Sequence, residues 1–463
     1  MQFLFILAVV ATLVVAEAGP SQPVSGAGLR LAVAVGGMAL VALYAAVASG
    51  WTARRLRRDY RRRFAVMKTF RAWRRGHVVL WLAVTGGILC WLDWARLVRF
   101  NWHLDRVFLV DELLILTPAL LPMVLSWAAF YEVERALDLG GTGVGEAGVK
   151  LATRGQYLSL HVRHYLGILM IPVLGLLALE DAVELLLPDA FPGEARAALY
   201  VLPMASLFVL FPVLLRRVWE TGPLAGGPLR DRLEATAGRA GFRLREILVW
   251  QTRGMAINAA VAGFCARVRY VFLTDGLLAH LADEEVEAVF GHEVGHVRHH
   301  HMTLRLVAMI APLSLWLLVQ QAFPGAIGRM EASLFADLEV PQLLASLATL
   351  AAVAAYVLIV FGAYSKLLES QADLFACRVL GCDSAADARG IFVSALEKLA
   401  EASGIDPQAR SWQHASIARR IDFLQKIGRA PRGELRFQRW VRCLNILVLT
   451  IASSPLAYWM LCR

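Results

Sequence analysis

The stretch "AVFGHEVGHVRHHHM" (Ala288–Met302) sets five histidines and one carboxylate within a few helical turns. Upstream, "ADEEVE" offers Asp283 as the expected N-cap. Glu284, Glu285 and Glu287 then fall in the first turns, where a helix dipole favours acidic side chains. Val286, Val289, Phe290 and Val294 recur at intervals of three and four, so the spacing predicts an amphipathic helix. On such a helix positions i and i+4 share a face, about 6 Å apart. His292 and His296 can therefore hold one metal ion between them. Glu293 is rotated by about a hundred degrees from His292, beside the metal, where its carboxylate can take a proton from bound water. The competing reading is a polar helix end at a membrane interface, where extra histidine and arginine are unremarkable.

A catalytic zinc takes three protein ligands and keeps a fourth position for water. The stretch "YSKLLESQADLFACRVLG" (Tyr364–Gly381) offers the third ligand in Glu369, with Asp373 at i+4 on the same helical face. A two-span hairpin between His296 and Glu369 returns the carboxylate to the membrane face that carries the histidines, as a shared metal requires. Two solvated carboxylates on a surface helix are the plainer alternative.

The rest of the chain places these motifs in a membrane. Of 463 residues, 58% are hydrophobic and only 18% charged, where a soluble protein has about a quarter charged; mean hydropathy is +0.56. Apolar runs near the roughly twenty residues that cross a bilayer fall at 1–17, 28–50, 78–96, 107–130, 162–184, 197–215, 304–323, 341–363 and 439–461. The first ends in "VVAEAG", like a cleavable signal peptide, but Met1-Gln2 carries no basic residue. The expected fold class is mainly α: a polytopic α-helical membrane protein with a small α+β, zincin-like domain. Its expected parts are an N-terminal membrane region (1–215), a first polar section with the HExxH helix (216–303), a membrane hairpin (304–363), a second polar section with Glu369 (364–438) and a C-terminal membrane helix (439–463). Within the first polar section "PLRDRLEATAGRAGF" reads as a helix, and "REILVWQ", "AINAAVAGF" and "RYVFLTDGLL" as short strands.

Net charge is +10, concentrated in "ARRLRRDYRRRFAVMKTFRAWRRGH" (Ala53–His77). This run lies between two apolar spans, so the positive-inside rule accounts for it and nucleic-acid binding is not expected. With that loop cytoplasmic, counting spans puts both polar sections on the cytoplasmic side of a cell inner or plasma membrane. The six cysteines form no CxxC pair and no disulfide framework.

Taken together, "HEVGH", "ESQADLFA" and "SWQHASIARRI" resemble the M48 family of membrane metallopeptidases, over roughly Asn258 to Ile421. "INAAVAGF" and the lead-in "VFLTDGLLAHLADEEVEAVFGHEVGH" are similar to the same family. The resemblance implies one Zn2+ per chain bound by His292, His296 and Glu369, with Glu293 as general base. It implies that Asp373 orients a ligand imidazole, that His414 donates to the developing oxyanion, and that Arg420 pairs with Asp373 or a neighbouring carboxylate. A helix-capping role for His414 or Arg420 stays open. Asn258 and Ala259 would meet an extended substrate by strand pairing. His299, His300 and His301 read as the polar shoulder of a helix entering the bilayer, with His300 the one placed to support the site.

The implied activity is endopeptidase cleavage of membrane-associated proteins or peptides at the cytoplasmic face. The lipid bilayer surrounds the chain, and oligomeric state is open. Two other classes stay in view. An M56-like membrane signal transducer would need an outside sensor domain, and no outside loop exceeds about twenty residues on the span count. A catalytically inactive membrane scaffold would not need the intact HExxH and Glu369.

Overall fold

Long apolar helices make up most of the chain. The computed structural model describes residues 2–17, 21–105, 107–140, 153–186, 193–323, 325, 352–403, 406–409 and 414–461. The links between the fifth and sixth and between the seventh and eighth apolar runs lie partly or largely outside these residues, as do residues 341–351 of the expected eighth span. By contacts the chain divides into two units, Met1–Thr221 with Gln251–Arg253, and Gly222–Trp250 with Gly254–Arg463.

The first unit consists of helices α1 (Gln2–Glu17), α2 (Ala27–Arg58), α3 (Arg63–Cys90), α4 (Thr117–Gly140), α5 (Arg154–His161), α6 (Ile168–Leu186) and α7 (Gly193–Val218). The basic run forms the turn of a helical hairpin: α2 ends at Arg58, a short turn covers Tyr60–Arg62, and α3 starts at Arg63. The expected span 107–130 is not one helix. Leu109 has a left-handed φ of 59°, a short helix covers Val110–Ile115, and α4 restarts with Pro118 in its first turn, where a missing N–H costs nothing. Two buried polar side chains in this unit bond to backbone across helices: Trp81 Nε1 donates to the Ala119 carbonyl at 2.9 Å and Thr85 Oγ1 to the Pro118 carbonyl at 3.2 Å.

Among the described residues five helices are long and apolar enough to cross a membrane: Ala27–Arg58, Arg154–Val183, His301–Ala322, Ala352–Val379 and Arg432–Leu461. A bent pair, Tyr60–Cys90 with Trp94–Asn101, would make a sixth. The protein is a multi-pass α-helical membrane protein, with fewer such helices among the described residues than the nine apolar runs suggest. The first run is a short helix and the fourth is broken.

The second unit joins a four-stranded sheet to helices. Its strands are β1 (Thr221–Pro223), β2 (Glu246–Trp250), β3 (Ala259–Ala262) and β4 (Tyr270–Thr274), in the order β1-β2-β4-β3. β2 runs parallel to β4, and β3 pairs antiparallel with β4 in the register Ala259↔Leu273, so β3 is an edge. β4 is shorter than "RYVFLTDGLL" suggests. Thr274 caps a helix from Asp275 to His280, its hydroxyl accepting from the Leu277 N–H, which diverts the chain from the sheet.

The helices are α8 (Pro228–Arg239), α9 (Asp283–Arg298), α10 (His301–Ala322), α11 (Gly362–Val379), α12 (Ala385–Ala402), α13 (Ile417–Arg429) and α14 (Pro431–Leu461). Two boundaries differ from the apolar runs. α11 continues an apolar helix from Ala352 through a turn at Tyr356–Phe361, so Glu369 rides on a membrane-length helix. α14 begins at Pro431 instead of 439, because its basic first turns are good helix formers that hydropathy overlooks.

α9 carries the core of this unit. Val286, Phe290 and Val294 are fully buried, packed with Leu233, Ile247, Val271, Leu273 and Leu277. Each such side chain contributes about 1.5–3 kcal/mol by leaving water. Its N-cap is Ala282, not Asp283: the backbone N–H of Ala282 donates to Glu285 at 2.9 Å. The acidic first turns act as clamps as well as dipole partners. Glu285 accepts from Ser394 and Lys398 of α12, and Glu287 from Thr236 and Arg239 of α8.

Candidate metal centre

Two glycines bring the chemistry-bearing helices together. A Cβ on Gly295 would sit 3.2 Å from the Ala372 Cα and the Phe375 Cβ, and one on Gly291 would sit 2.9 Å from Val379 Cγ1. With hydrogen there instead, α9 and α11 approach until the α9 backbone meets Ala372, Phe375 and Val379, and Glu369 reaches the histidines.

The result is a tight group. His292 Nε2 and His296 Nε2 are 3.2 Å apart. Glu369 Oε2 lies 3.7 Å from the first and Oε1 3.5 Å from the second. Among the described residues this is the group of three or more histidine, cysteine or acidic side chains whose ligand atoms all lie within 4.8 Å of one another. Donors at 2.0–2.1 Å from one tetrahedral ion stand about 3.3 Å from each other, so a mixed imidazole–carboxylate set gathered this closely could hold a metal ion of the zinc type. His292 and Glu369 are buried, and His296 nearly so.

Surrounding groups fix these donors. Asp373, fully buried, holds Oδ1 2.8 Å from His292 Nδ1. Arg420 grips that carboxylate with both edges, Nη2 to Oδ1 at 2.6 Å and Nε to Oδ2 at 2.9 Å, and lies over the ring of Phe392, which in turn stacks on His292. His414, more than half exposed, reaches Glu369 Oε2 with Nδ1 at 3.0 Å. Burial pulls the His292 pKa down, but its hydrogen bonds to Asp373 and Glu369 outweigh this and raise it to about 9. Burial pulls His296 well below the usual imidazole value, and the neighbouring His292 adds to this. Burial also pushes Glu293 above the ordinary carboxylate value. The Val261 backbone N–H of β3 donates to that carboxylate, which sets Glu293 between the metal group and the edge strand.

The structure therefore brings His292, Glu293, His296, Glu369, Asp373, His414 and Arg420 into one site. Ala259 opens β3 and is buried. Asn258 is exposed beside it, its backbone N–H donating to Thr274 Oγ1 at 2.9 Å. His300 corrects an expectation. It has a left-handed φ of 57°, is exposed, and separates α9 from α10, so the helix does not continue through the histidine run. The imidazole that meets His296 belongs to His301, Nδ1 to Nδ1 at 2.8 Å.

Arg305 was also missed by sequence reasoning; its Nη2 donates to Glu369 Oε1 at 2.6 Å. It is the one charged residue in the apolar run 304–323, a signal that points to function in a membrane helix.

An HExxH helix, a carboxylate from a distant membrane-length helix and an antiparallel edge strand thus meet at one site. Residues 223–427 match the model of Peptidase family M48, and within them lie His292, His296 and Glu369, a group that could hold a metal ion. A protease HtpX homolog of Aeropyrum pernix is 32% identical over 142 residues, 28% of this chain and 43% of that protein. A CAAX prenyl protease 1 homolog of Arabidopsis thaliana is 32% identical over 117 residues, 24% of this chain and 27% of that protein. The matched stretch thus spans less than half the length of these curated relatives. The crystal structure of S. mikatae Ste24p is similar with a TM-score of 0.49 at 16% identity, covering 84% of this chain and 99% of that one.

Proposed function

We propose that the chain is a zinc-dependent endopeptidase that cleaves membrane-associated proteins or peptides at the cytoplasmic face. The observation that carries this reading is the convergence of His292, His296 and Glu369 within 4.8 Å, with Glu293 beside them and hydrogen-bonded to strand β3. His292, His296 and Glu369 hold the zinc, which when bound acidifies its water and polarises a carbonyl.

The chain's own residues then have distinct tasks. An extended peptide pairs with the edge of β3 near Asn258 and Ala259, which presents the scissile bond to the site. Glu293 accepts the proton of the attacking water and delivers it to the leaving amine; burial raises its pKa toward what a base working near neutrality needs. His414 donates to the oxygen on which negative charge develops. Asp373, held by Arg420, keeps the His292 Nδ1 proton in place so that Nε2 faces the metal. The arginine-rich run between α2 and α3 supports the cytoplasmic orientation. Quality control or processing of membrane proteins fits a site mounted on membrane helices.

Glu293→Gln tests the reading. The variant is expected to bind zinc as the parent does, while kcat falls by about 10²–10⁴ or more. Proteins that accumulate in native membranes with the variant, compared with the parent, identify substrates. Undiminished turnover would remove Glu293 as the base.

A further inference from the structure

Behind His296 runs a chain of polar groups that the mechanism above does not use. His296 Nδ1 lies 2.8 Å from His301 Nδ1, and His301 Nε2 lies 3.0 Å from Gln371 Oε1. Gln371 Nε2 donates to Gln438 Oε1 at 2.6 Å. His301 is fully buried and Gln371 nearly so. The four residues come from α9, α10, α11 and α14. The break at His300 makes the first link. On a continuous helix position i+5 points about 140° away from i, whereas the left-handed turn at φ 57° starts a new helix and folds His301 back onto His296. A non-glycine residue in that conformation is uncommon and costs free energy.

We propose that His301 is a positioning residue for the metal, fixing through Gln371 and Gln438 which nitrogen of His296 carries the proton. Such a relay can be polarised in only two ways. In one, Gln371 Oε1 accepts from His301 Nε2–H, His301 Nδ1 accepts from His296 Nδ1–H, and His296 Nε2 keeps its lone pair for the metal. In the other, His301 donates to His296 Nδ1, and the His296 proton sits on Nε2, where it blocks coordination. The amides of Gln371 and Gln438 are set for the first: Gln371 spends its N–H on Gln438 and turns its oxygen to His301. His296 thereby gains from a neutral imidazole what His292 gains from Asp373, a hydrogen-bond acceptor on Nδ1. This rests on the zinc reading above.

The test measures zinc affinity of the full-length detergent-solubilised chain by competition with a chromophoric chelator, alongside thermal unfolding. His301→Phe keeps the ring and removes the relay; it is expected to bind zinc about 10–100-fold more weakly, the usual cost of losing such a partner. Gln371→Leu frees the His301 tautomer and lowers affinity less, in the same direction. His301→Gln supplies an acceptor and a donor again and restores most of the loss. His301→Phe with parental zinc affinity overturns the proposal, as does a His301→Gln variant that falls as far as the phenylalanine. Should His301→Phe lose its unfolding transition, Gln371→Leu decides, and parental affinity there overturns the proposal. A parent chain that binds no zinc takes down the zinc reading itself. A parent that binds zinc and cleaves, beside an unaffected His301→Phe, takes down the relay alone.

Discussion

The Arg305 guanidinium donates to Oε1 of Glu369 at 2.6 Å, tying an arginine on an apolar helix to the carboxylate of the metal group. A charge on such a helix is costly unless it is paired, and Glu369 is itself buried. The Arg305 cation therefore shares the carboxylate proposed to hold the metal. Removing one partner of a buried pair costs about 3–5 kcal/mol. Arg305→Met is expected to melt lower than the parent when a chelator is present, with zinc recovering much of the difference. Thermal unfolding with and without zinc checks this; equal losses in both conditions would show that the pair and the metal are not linked.

Gly295 gives a second prediction. Its missing Cβ lets Ala372 and Phe375 come within about van der Waals contact of the α9 backbone, and Ala372 lies one turn from Glu369. Gly295→Val forces the helices apart at a cost of about 1–3 kcal/mol and draws Glu369 away from the histidines. Both the unfolding temperature and zinc affinity should drop. A destabilised variant with an undamaged zinc site would contradict the close approach as the positioning device.

Arg420 meets Asp373 with two parallel hydrogen bonds, which a lysine ammonium cannot reproduce. Arg420→Lys is expected to lose about 10–100-fold in metal affinity while keeping the charge. Metal retained after dialysis against a chelator measures it, and retention equal to the parent's would mean charge alone suffices.

The pH dependence of metal binding has a fixed sign. His292 must release a proton before it can serve as a ligand, and without metal its Asp373 and Glu369 bonds outweigh burial and hold that proton up to about pH 9. Proton and zinc compete, so affinity rises with pH by roughly tenfold per unit for one displaced proton and levels off above about 9. Chelator competition across the neutral and alkaline range would show this; a flat profile would mean His292 is already neutral.

Some of the site was readable because the relevant geometry is local. A helical repeat puts His292 and His296 on one face whatever surrounds them, and the same repeat sets Glu369 and Asp373 one turn apart on theirs. Hydropathy likewise marked the helices at Ala27–Arg58, Arg154–Val183 and His301–Ala322. It failed where a single backbone conformation intervened, as at Leu109 and His300. Nothing in "HVRHHHM" says that the left-handed residue is the second of its three consecutive histidines, yet that choice decides that His301 turns inward while His300 faces out.

By itself, then, the sequence determined the membrane-helical class, the candidate ligand pair of the HExxH helix and the candidacy of Glu369, since each follows from composition or from the pitch of one helix. Only the tertiary structure decided how closely α9 and α11 approach, that Arg305 and His414 share the Glu369 carboxylate, and that Asp373 backs His292 while His301 backs His296. Those contacts join side chains from separate helices. Their positions depend on how the helices pack and where each one breaks, which no local period records.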